Sequence, residues 1–415
     1  MLRTRVFGGA AGALRIPIYR NYFLGHFIAS TGRWMYRMSI GWLAWDLTSS
    51  TVWLGAVAFA DLAPSALLTI FAGAITDRFG YMRIIRWSLF VVTILSALLG
   101  GLVLTKLVTV ELLLLIALVA GSAESLGQPA RLAIVNALVP KQDLSSAIAL
   151  GSMSFNASRI VGPSIAGLLI GWTGAGAVML LCSLAYLYFL WVIRGINLDE
   201  TKSPAKQGDS LLRNTLDGFV YVLGHRGIRF VMILLTATSL LVRPVIDLLP
   251  SISDKVFKAG PTGLSMMLAA IGVGAVGASL VLARRGQTQG LTKLLVWSTF
   301  GTGISVAAAL QSPSIEVAAA AFCFMGVFML SGNVAAQTLV QKNVAPEMRA
   351  RVLGLFIVFG HGLPALGALI QGWLATFLGL PAAVGGSAIL MLAFWAWSMF
   401  HKSGMMGELE KPNGG

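Results

Sequence analysis

The stretch Gly73-Ala-Ile-Thr-Asp77-Arg78-Phe79-Gly80-Tyr-Met-Arg83 is a short hydrophilic interruption between two strongly apolar segments. It contains an acid, two basic groups and a glycine that can adopt positive φ values. This composition is typical of a turn where the chain leaves one hydrophobic segment and enters the next. The stretch therefore predicts a turn at a membrane surface.

The composition of the whole chain agrees with a membrane location. Of its 415 residues, 57% are apolar and only 11% are charged, and the mean hydropathy is +0.82. These values exclude an ordinary soluble globular protein. The net charge is +14, and the basic residues that produce it lie singly in short connections between apolar runs. This distribution is explained by the orientation of the chain in a membrane, and no nucleic-acid partner is expected.

Twelve apolar runs of about 20 residues have the length that a helix needs to cross a bilayer. They show no alternation of polar and apolar residues, so helices are favoured over barrel strands. The predicted fold is therefore an all-α membrane protein with twelve transmembrane helices. The predicted spans are Tyr22–Trp45, Val52–Thr76, Ile84–Leu104, Val108–Gln128, Ser145–Trp172, Ala175–Ile193, Ile228–Leu249, Gly263–Ala283, Leu291–Leu310, Ile315–Val340, Val352–Phe377 and Ala382–Phe400.

The distribution of Lys and Arg predicts the orientation of these spans. One face of the predicted membrane domain carries 23 basic residues, whereas the other carries only Lys106, Lys255 and Lys258. Because basic loops remain in the cytoplasm, both termini are expected there. The predicted location is the cytoplasmic membrane, crossed many times.

A polar connection divides the spans into six and six. We expect an N-terminal six-helix bundle at residues 1–194, a cytoplasmic linker at 195–226, and a C-terminal bundle with a short tail at 227–415. The linker ends in a predicted amphipathic helix on the membrane surface. Its apolar face is Leu211, Leu212, Leu216, Phe219, Val220 and Leu223, opposite Arg213, Asn214 and Asp217.

The two halves carry a weak repeat with an offset of 206 residues. The second copy of the turn at Gly73–Arg83 lacks the acid of the first, since Ala283 aligns with Asp77. A parallel duplication of a six-helix unit is typical of transporters with a binding site between two bundles. The offset aligns Arg37 with Arg243, Arg78 with Arg284, Gly80 with Gly286, and Pro140 with Pro346.

These features resemble the major facilitator superfamily. The family's turn between its second and third helices is matched by Gly73, Asp77, Arg78, Gly80 and Arg83, although Tyr81 and Met82 replace further basic residues. The resemblance implies two pseudo-symmetric six-helix bundles, secondary transport by alternating access, and a gating role for this motif. A second motif resembles the Gly-Pro signature of the family's antiporters and consists of Arg159, Gly162, Pro163 and Gly167.

Two loops resemble one branch of the superfamily. The segments Gln128-Pro-Ala-Arg131 and Val344-Ala-Pro346-Glu-Met-Arg349 are similar to those of the enterobactin and macrolide exporters. This resemblance implies an exporter. The fourth span, however, lacks the arginine that many drug–proton antiporters carry there and has Glu124 and Gln128 instead.

Three acids within the spans are candidates for proton coupling, because charge is costly in a bilayer and marks function or pairing. Asp61 is expected to pair with Arg37, either as a fastening of two helices or as a proton exchanger. Glu124 is a second proton site, an inner gate or an interfacial ion pair. Asp247 lies four residues after Arg243, and the two can neutralise one another.

Further polar residues are candidates for the substrate cavity that the resemblance places among the first, fourth, seventh and tenth helices. Two mid-membrane arginines facing that cavity would suit an anionic or catecholate-like substrate, whereas a cationic drug would rather meet the carboxylates. Interhelical hydrogen bonding is the alternative role of the amides. The candidates are Arg33, Trp34, Arg37, Gln128, Arg243, Asn333 and Gln337.

The predicted function is proton-coupled export of a siderophore-like or drug-like organic molecule. The alternatives are an importer of a nutrient or lipid, and a membrane receptor or regulator that transports nothing. The expected partners are the substrate, protons and membrane lipid, and the chain is expected to be a monomer. No enzyme activity, cofactor or metal is expected. The stretch Gly272-Val-Gly274-Ala-Val-Gly277 matches the dinucleotide-binding fingerprint, but it lies within a span rather than after a strand, and no His-Glu-x-x-His zinc pattern occurs.

Overall fold

The computed structural model describes residues 10–196, 198, 211–285 and 289–410. All regular structure in these residues is helical. A single turn, Ala10–Leu14, precedes the long helices, and two π-helical segments, Thr238–Val242 and Ile252–Val256, follow α7 and α8. The helices are α1 Pro17–Thr48, α2 Thr51–Phe79, α3 Tyr81–Leu104, α4 Val110–Leu138, α5 Leu144–Arg194, α6 Leu211–Gly224, α7 Arg226–Ala237, α8 Val245–Ser251, α9 Gly260–Arg285, α10 Leu291–Leu310, α11 Ile315–Asn343, α12 Arg349–Leu378 and α13 Leu380–Leu409.

Within these described residues, ten helical segments are long and apolar enough to cross a membrane. One of them, Lys141–Arg194, holds two of the predicted spans, because Gly174 interrupts α5 with a φ of 78°. The charged first span corresponds to α1. The predicted all-α membrane fold is confirmed.

The chain forms two compact units. The first contains Met1–Leu47 and Leu67–Gln207, and the second contains Thr48–Ala66 and Gly208–Gly415. Helix α2 therefore begins in the second unit and ends in the first, whereas the whole second span was expected in the N-terminal bundle. The bundle and linker boundaries drawn from the sequence stay a prediction.

Small residues let the first part of α2 pack backbone to backbone against α12 in the second unit. A Cβ atom on Gly55 would collide with the carbonyl of Ala368, and one on Gly372 with the carbonyl of Thr51. The Thr51 hydroxyl donates a hydrogen bond to the carbonyl of Gly372 at 2.8 Å. Such close approach at small residues is a common means of helix association in membranes.

Helix α6 packs against the rest of the second unit through part of its surface. Val222 is buried in that unit's core, and the Tyr221 hydroxyl accepts a hydrogen bond from the amide of Ala345 at 3.2 Å. The apolar side chains of Leu216, Phe219, Val220 and Leu223 are exposed. The side chains of Leu211, Leu212, Arg213 and Asn214, which belong to the predicted amphipathic pattern, lie outside what the structure describes.

Candidate functional site

The first predicted motif spans the end of α2 and the start of α3. Gly80 precedes α3 with φ 87° and ψ 142°, a conformation available essentially only to glycine. Arg78 and Arg83 are exposed, and the Arg78 guanidinium lies 5.4 Å from the centroid of the Phe79 ring. Gly73 and Asp77 lie within α2, but their burial and the side chain of Asp77 lie outside what the structure describes, so the gating role of the motif stays a prediction.

A basic residue just after this motif joins two helix ends in the first unit. The Arg86 guanidinium donates hydrogen bonds to the carbonyls of Ile193, at 3.4 Å, and Ile196, at 3.2 Å. Ile193 lies in the last turn of α5, whose carbonyls have no amide partner further along the helix, and Ile196 lies two residues beyond the end of that helix. The start of α3 is thus tied to the end of α5.

Two arginines meet at one indole ring in the first unit. The guanidinium carbons of Arg37, on α1, and Arg159, on α5, each lie 5.8 Å from the centroid of the Trp34 ring. Phe155 contacts the same indole edge-on at 5.9 Å. We call Trp34, Arg37, Phe155 and Arg159 the arginine–tryptophan cluster; its two positive charges repel one another, while cation–π attraction to the indole offsets part of that repulsion.

The Gly-Pro motif explains how α5 reaches this position. A Cβ atom on Gly162 would lie 2.7 Å from the Cβ of Trp34 and 2.8 Å from the carbonyl of Thr31. The hydroxyls of Thr31 and Ser158 also form a hydrogen bond of 3.2 Å between the two helices. The motif residues Gly162, Pro163 and Gly167 are all buried. The absence of a side chain at Gly162 lets α5 approach α1 and so places Arg159 beside that helix.

A second group of polar side chains surrounds Glu124. Arg131 forms an ion pair with Glu124, seven residues away on α4, and Arg33 and His26 of α1 are close enough to act on the same carboxylate charge. The Tyr22 hydroxyl donates to the carbonyl of Arg131 at 2.9 Å. The predicted interfacial alternative and the proton site both fit this geometry, because the acid is largely buried among cations.

The other two candidate acids lie in the second unit. Asp61 is 3% exposed, and the predicted Arg37–Asp61 pair would join the two units, so it stays a prediction. Asp247 is half-buried. The Arg243 guanidinium donates to the carbonyl of Gly360 on α12, an interaction that the predicted local pairing of Arg243 with Asp247 did not include.

The remaining cavity candidates differ in exposure. Gln128 and Gln337 are exposed and Asn333 is half-buried. The Arg33 guanidinium lies 5.7 Å from the Tyr36 ring centroid. These placements are compatible with a wet cavity, and they leave the assignment of these residues to the substrate as a prediction.

Sequence reasoning missed a buried glutamine on α12. Gln371 is 3% exposed, and its amide donates to the carbonyls of Leu240 and Leu241, at 3.2 and 2.8 Å. Both carbonyls belong to the π-helical segment after α7, where the altered register frees backbone acceptors. An uncharged polar residue within an apolar span was the available signal.

The first unit also contains an apolar groove of about 410 Å³ between α1 and the two halves of α5. Its lining includes Ile28, Met35, Val161, Ile165 and Leu184 and no charged side chain. A charged solute would lose its hydration there without compensation. Among the described residues, no group of three or more His, Cys, Asp or Glu could hold a metal ion.

A family model and several curated proteins match this chain over most of its length. A family model described as "Transmembrane secretion effector" matches residues 9–411. The staphyloferrin A transporter of Staphylococcus aureus (strain NCTC 8325 / PS 47) is 26% identical, over 86% of this chain and 90% of its own length. The multidrug efflux pump Tap of Mycolicibacterium fortuitum is 25% identical, over 90% and 92%. The enterobactin exporter EntS of Shigella flexneri is 22% identical, over 91% and 89%.

Solved structures share the fold. The crystal structure of a POT family transporter in complex with a thioalcohol-conjugated peptide superposes with a TM-score of 0.74 and 12% identity. The alignment covers 93% of this chain and 96% of that one. At this identity the likeness concerns the fold alone.

Proposed function

Because the chain belongs to the transmembrane secretion effector family of the major facilitator superfamily and is a transporter rather than an enzyme, we propose that it exports an acidic aromatic organic molecule in exchange for protons. Two relatives carry siderophores by name, and one of them is an exporter. We further infer alternating access, a monomer, and a location in the cytoplasmic membrane with both termini inside.

The arginine–tryptophan cluster carries the proposal for the cargo. Two guanidinium groups beside one indole, within membrane-spanning helices, hold positive charge where the dielectric constant is low. An anion bound there would relieve their repulsion, and an aromatic ring could stack on the indole or on a guanidinium plane. An aromatic carboxylate or catecholate offers both features.

The Glu124 group supports the proposal for coupling. A largely buried carboxylate between Arg131 and Arg33 has two opposed influences on its proton affinity: burial favours the neutral form, and the cations favour the charged form. A movement that separates Glu124 from Arg131 would release the acid to take up a proton. Asp61 and Asp247 remain further candidates for this role.

The cargo is tested with purified protein in liposomes whose lumen is made more acidic than the outside. Dihydroxybenzoate is the probe, because it combines a carboxylate, a catechol and one ring. We expect gradient-driven uptake, and a loss of about tenfold in Arg159→Gln or Arg37→Gln, since a hydrogen bond to a charged group contributes about 1.5–3 kcal/mol. Arg20→Gln, an exposed arginine on the same helix as Arg37, is the matched control and should transport normally.

If Arg159→Gln and Arg37→Gln transported dihydroxybenzoate as fast as Arg20→Gln, the cluster would have no part in the cargo site. If the wild-type protein moved no aromatic acid under the gradient, the proposed substrate class would be wrong. Reversing the gradient distinguishes exchange from co-transport, because exchange then empties preloaded vesicles.

Coupling is tested with Glu124→Gln, which keeps the shape of the side chain and removes its titration. We expect this variant to equilibrate dihydroxybenzoate but not to accumulate it against its gradient. Glu111→Gln is the control, because Glu111 is an exposed acid at the start of the same helix. Accumulation by Glu124→Gln at the wild-type level would assign the proton to another group.

A second candidate function is efflux of a cationic drug. It is favoured by the similarity to the multidrug efflux pump Tap and by the buried carboxylate of Glu124. Ethidium, a planar aromatic cation, serves as the probe in the same liposomes. Two results together would favour this candidate over the first. The vesicles would accumulate ethidium and no dihydroxybenzoate, and Glu124→Gln rather than Arg159→Gln would reduce the uptake of ethidium.

A further inference from the structure

The last residues of α13 enter the core of the second unit. Leu409 is fully buried among apolar side chains of that unit, and acids stand on both sides of it, Glu408 and Glu410. From the sequence, these residues were assigned only to a short tail. We call Glu408, Leu409 and Glu410 the C-terminal clasp.

Glu410 binds the first turn of α10. One carboxylate oxygen accepts a hydrogen bond from the amide of Gly290 and the other from the amide of Thr292, both at 2.7 Å. The first amides of a helix have no partner within the helix, and they favour a negative charge. Partial burial would raise the pKa of Glu410, but these two amides and the Lys342 charge outweigh it and hold the pKa below its ordinary value.

Glu408 makes the equivalent contact with α7. Its carboxylate accepts a hydrogen bond from the amide of Gly227 at 3.0 Å, while the adjacent amide of Ile228 donates to the His225 ring at 3.3 Å. A Cβ atom on Gly227 would lie 2.7 Å from the Leu409 side chain. The clasp thus reaches the backbone of α7 because residue 227 has no side chain.

Leu409 joins a third helix to the same point. The Asn343 side-chain amide, at the end of α11, donates to the carbonyl of Leu409 at 3.1 Å and to the carbonyl of Leu339 at 2.8 Å. The buried Leu409 side chain belongs to the same apolar cluster as Ile228 and Leu339. Three consecutive residues therefore bind the ends of α7, α10 and α11.

We propose that Glu408 and Glu410 are positioning residues for transport, and that the clasp keeps the ends of α7, α10 and α11 together as one body while the transporter changes conformation. The acids do this by occupying backbone amides at two helix starts, which only an acceptor can satisfy. The buried leucine between them fixes the distance between these two contacts. No substrate contact by the clasp is required.

Hydrogen exchange measured by mass spectrometry on the full-length protein in lipid nanodiscs tests the clasp without any substrate. In Glu408→Ala/Glu410→Ala, the amides at residues 226–230 and 290–294 should exchange roughly five- to tenfold faster, as expected for the loss of a helix cap. Amides of α1 and α4 should exchange as in the wild-type protein. Glu347→Ala is the matched control, because Glu347 is an exposed acid in another loop of the second unit.

Glu410→Gln separates acceptor geometry from overall folding. A carboxylate accepts from both amides, whereas a carboxamide has one acceptor oxygen and turns its NH₂ group towards the other amide donor. We expect this variant to accelerate exchange at residues 290–294 while residues 226–230 stay protected. Unchanged exchange in both the double variant and Glu410→Gln would overturn the clasp.

The positioning role needs a kinetic measurement as well, which rests on the proposed cargo. With dihydroxybenzoate, the double variant should show a maximal rate reduced roughly threefold or more and a nearly unchanged KM, because the clasp does not touch substrate. A raised KM at unchanged maximal rate would contradict a positioning role. If the protein does not carry dihydroxybenzoate, the exchange measurement still decides whether the clasp exists. Should the double variant not fold, Glu410→Gln decides the contact with α10 through exchange at residues 290–294, and it decides the positioning role through the maximal rate.

Discussion

In each unit, one charged side chain links the start of one helix to the end of another, and the charge is opposite in the two units. We call these links the cationic tie, between α3 and α5, and the anionic tie, between α10 and α13. In the first unit, the Arg86 guanidinium near the start of α3 donates to carbonyls at the end of α5. In the second unit, the Glu410 carboxylate at the end of α13 accepts from amides at the start of α10. Under the repeat offset of 206 residues, Arg86 corresponds to Thr292. The repeat therefore preserves which helix ends meet, and the chemistry of the tie is inverted.

The two ties carry opposite charges because the first binds backbone carbonyls and the second binds backbone amides. Carbonyls at a helix C-terminus favour a cation, and amides at an N-terminus favour an anion. The copy of the first turn has Ala283 in place of Asp77, yet the second unit regains a carboxylate near this turn from a residue far along the chain. A motif that is incomplete in sequence can thus still have its charge supplied by the fold.

The largest effect is expected from the glycines at the two turns. Gly80 has φ 87° and ψ 142°, in a region essentially restricted to glycine, whereas Gly290 has φ 76° and ψ 12°, in the left-handed region that asparagine tolerates. We expect Gly80→Asn to destabilise the protein by about 1–3 kcal/mol, and Gly290→Asn by only a few tenths. Thermal unfolding of both variants in detergent measures the difference.

These two variants control for one another, since each places the same side chain at the residue immediately before a helix, α3 or α10. Equal losses of stability would mean that backbone conformation does not distinguish the turns. A larger loss in Gly290→Asn would reverse the comparison and indicate that the Glu410 contacts at α10 cannot accommodate a side chain.

The next effect concerns the cationic tie. Arg86→Met retains the aliphatic bulk and removes both hydrogen bonds to α5, so we expect a destabilisation of about 1–2 kcal/mol. Arg83→Met is the matched control, because Arg83 is an exposed arginine one turn earlier, and surface substitutions usually change stability by less than about 0.5 kcal/mol. Melting temperatures in one detergent provide the measurement; identical values for the two variants would remove Arg86 as a tie.

Local features of the fold were predictable from sequence. Apolar runs of about 20 residues determine membrane helices without reference to the rest of the chain. Gly80 and Gly162 were also recognised, because a positive φ and a close helix approach both leave a glycine in the sequence. The structure supplies the reasons: a restricted backbone conformation at Gly80 and contact with Trp34 at Gly162.

Partners between distant residues were not predictable in the same way. Gln371 and its partner Leu240, in the first π-helical segment, are 131 residues apart in the sequence, and Glu410 and Gly290 are 120 residues apart. Such contacts depend on the rotation and offset of packed helices, which no single sequence pattern encodes. The arginine–tryptophan cluster lies between these cases: Arg37 and Trp34 share α1, but the approach of Arg159 required the fold.

The anionic tie should respond to pH, and the cationic tie should not. The pKa of Glu410 is lower in the folded protein than its ordinary value of 4.5. Its contribution to stability is therefore fully present above pH 4.5 and is lost as the pH falls through the lowered value. Melting temperatures of the wild-type protein and Glu410→Gln should converge as the pH is lowered from about 7 towards 3. A constant difference between them would show that the charge of Glu410 does not contribute.

The smallest effect is expected where the second unit has a contact that the repeat does not provide in the first. The Arg351 guanidinium, on α12, lies 3.0 Å from the Asp217 carboxylate on α6, and the offset of 206 places Ser145 opposite Arg351. The two side chains are 28% and 45% exposed, so water screens the pair. A double-mutant cycle with Asp217→Asn and Arg351→Gln should give a coupling of only about 0.2–1 kcal/mol. A coupling well above this range would mean that α6 is held mainly by the ion pair, whereas a value near zero would leave the buried Val222 and the Tyr221 hydrogen bond as its principal attachments.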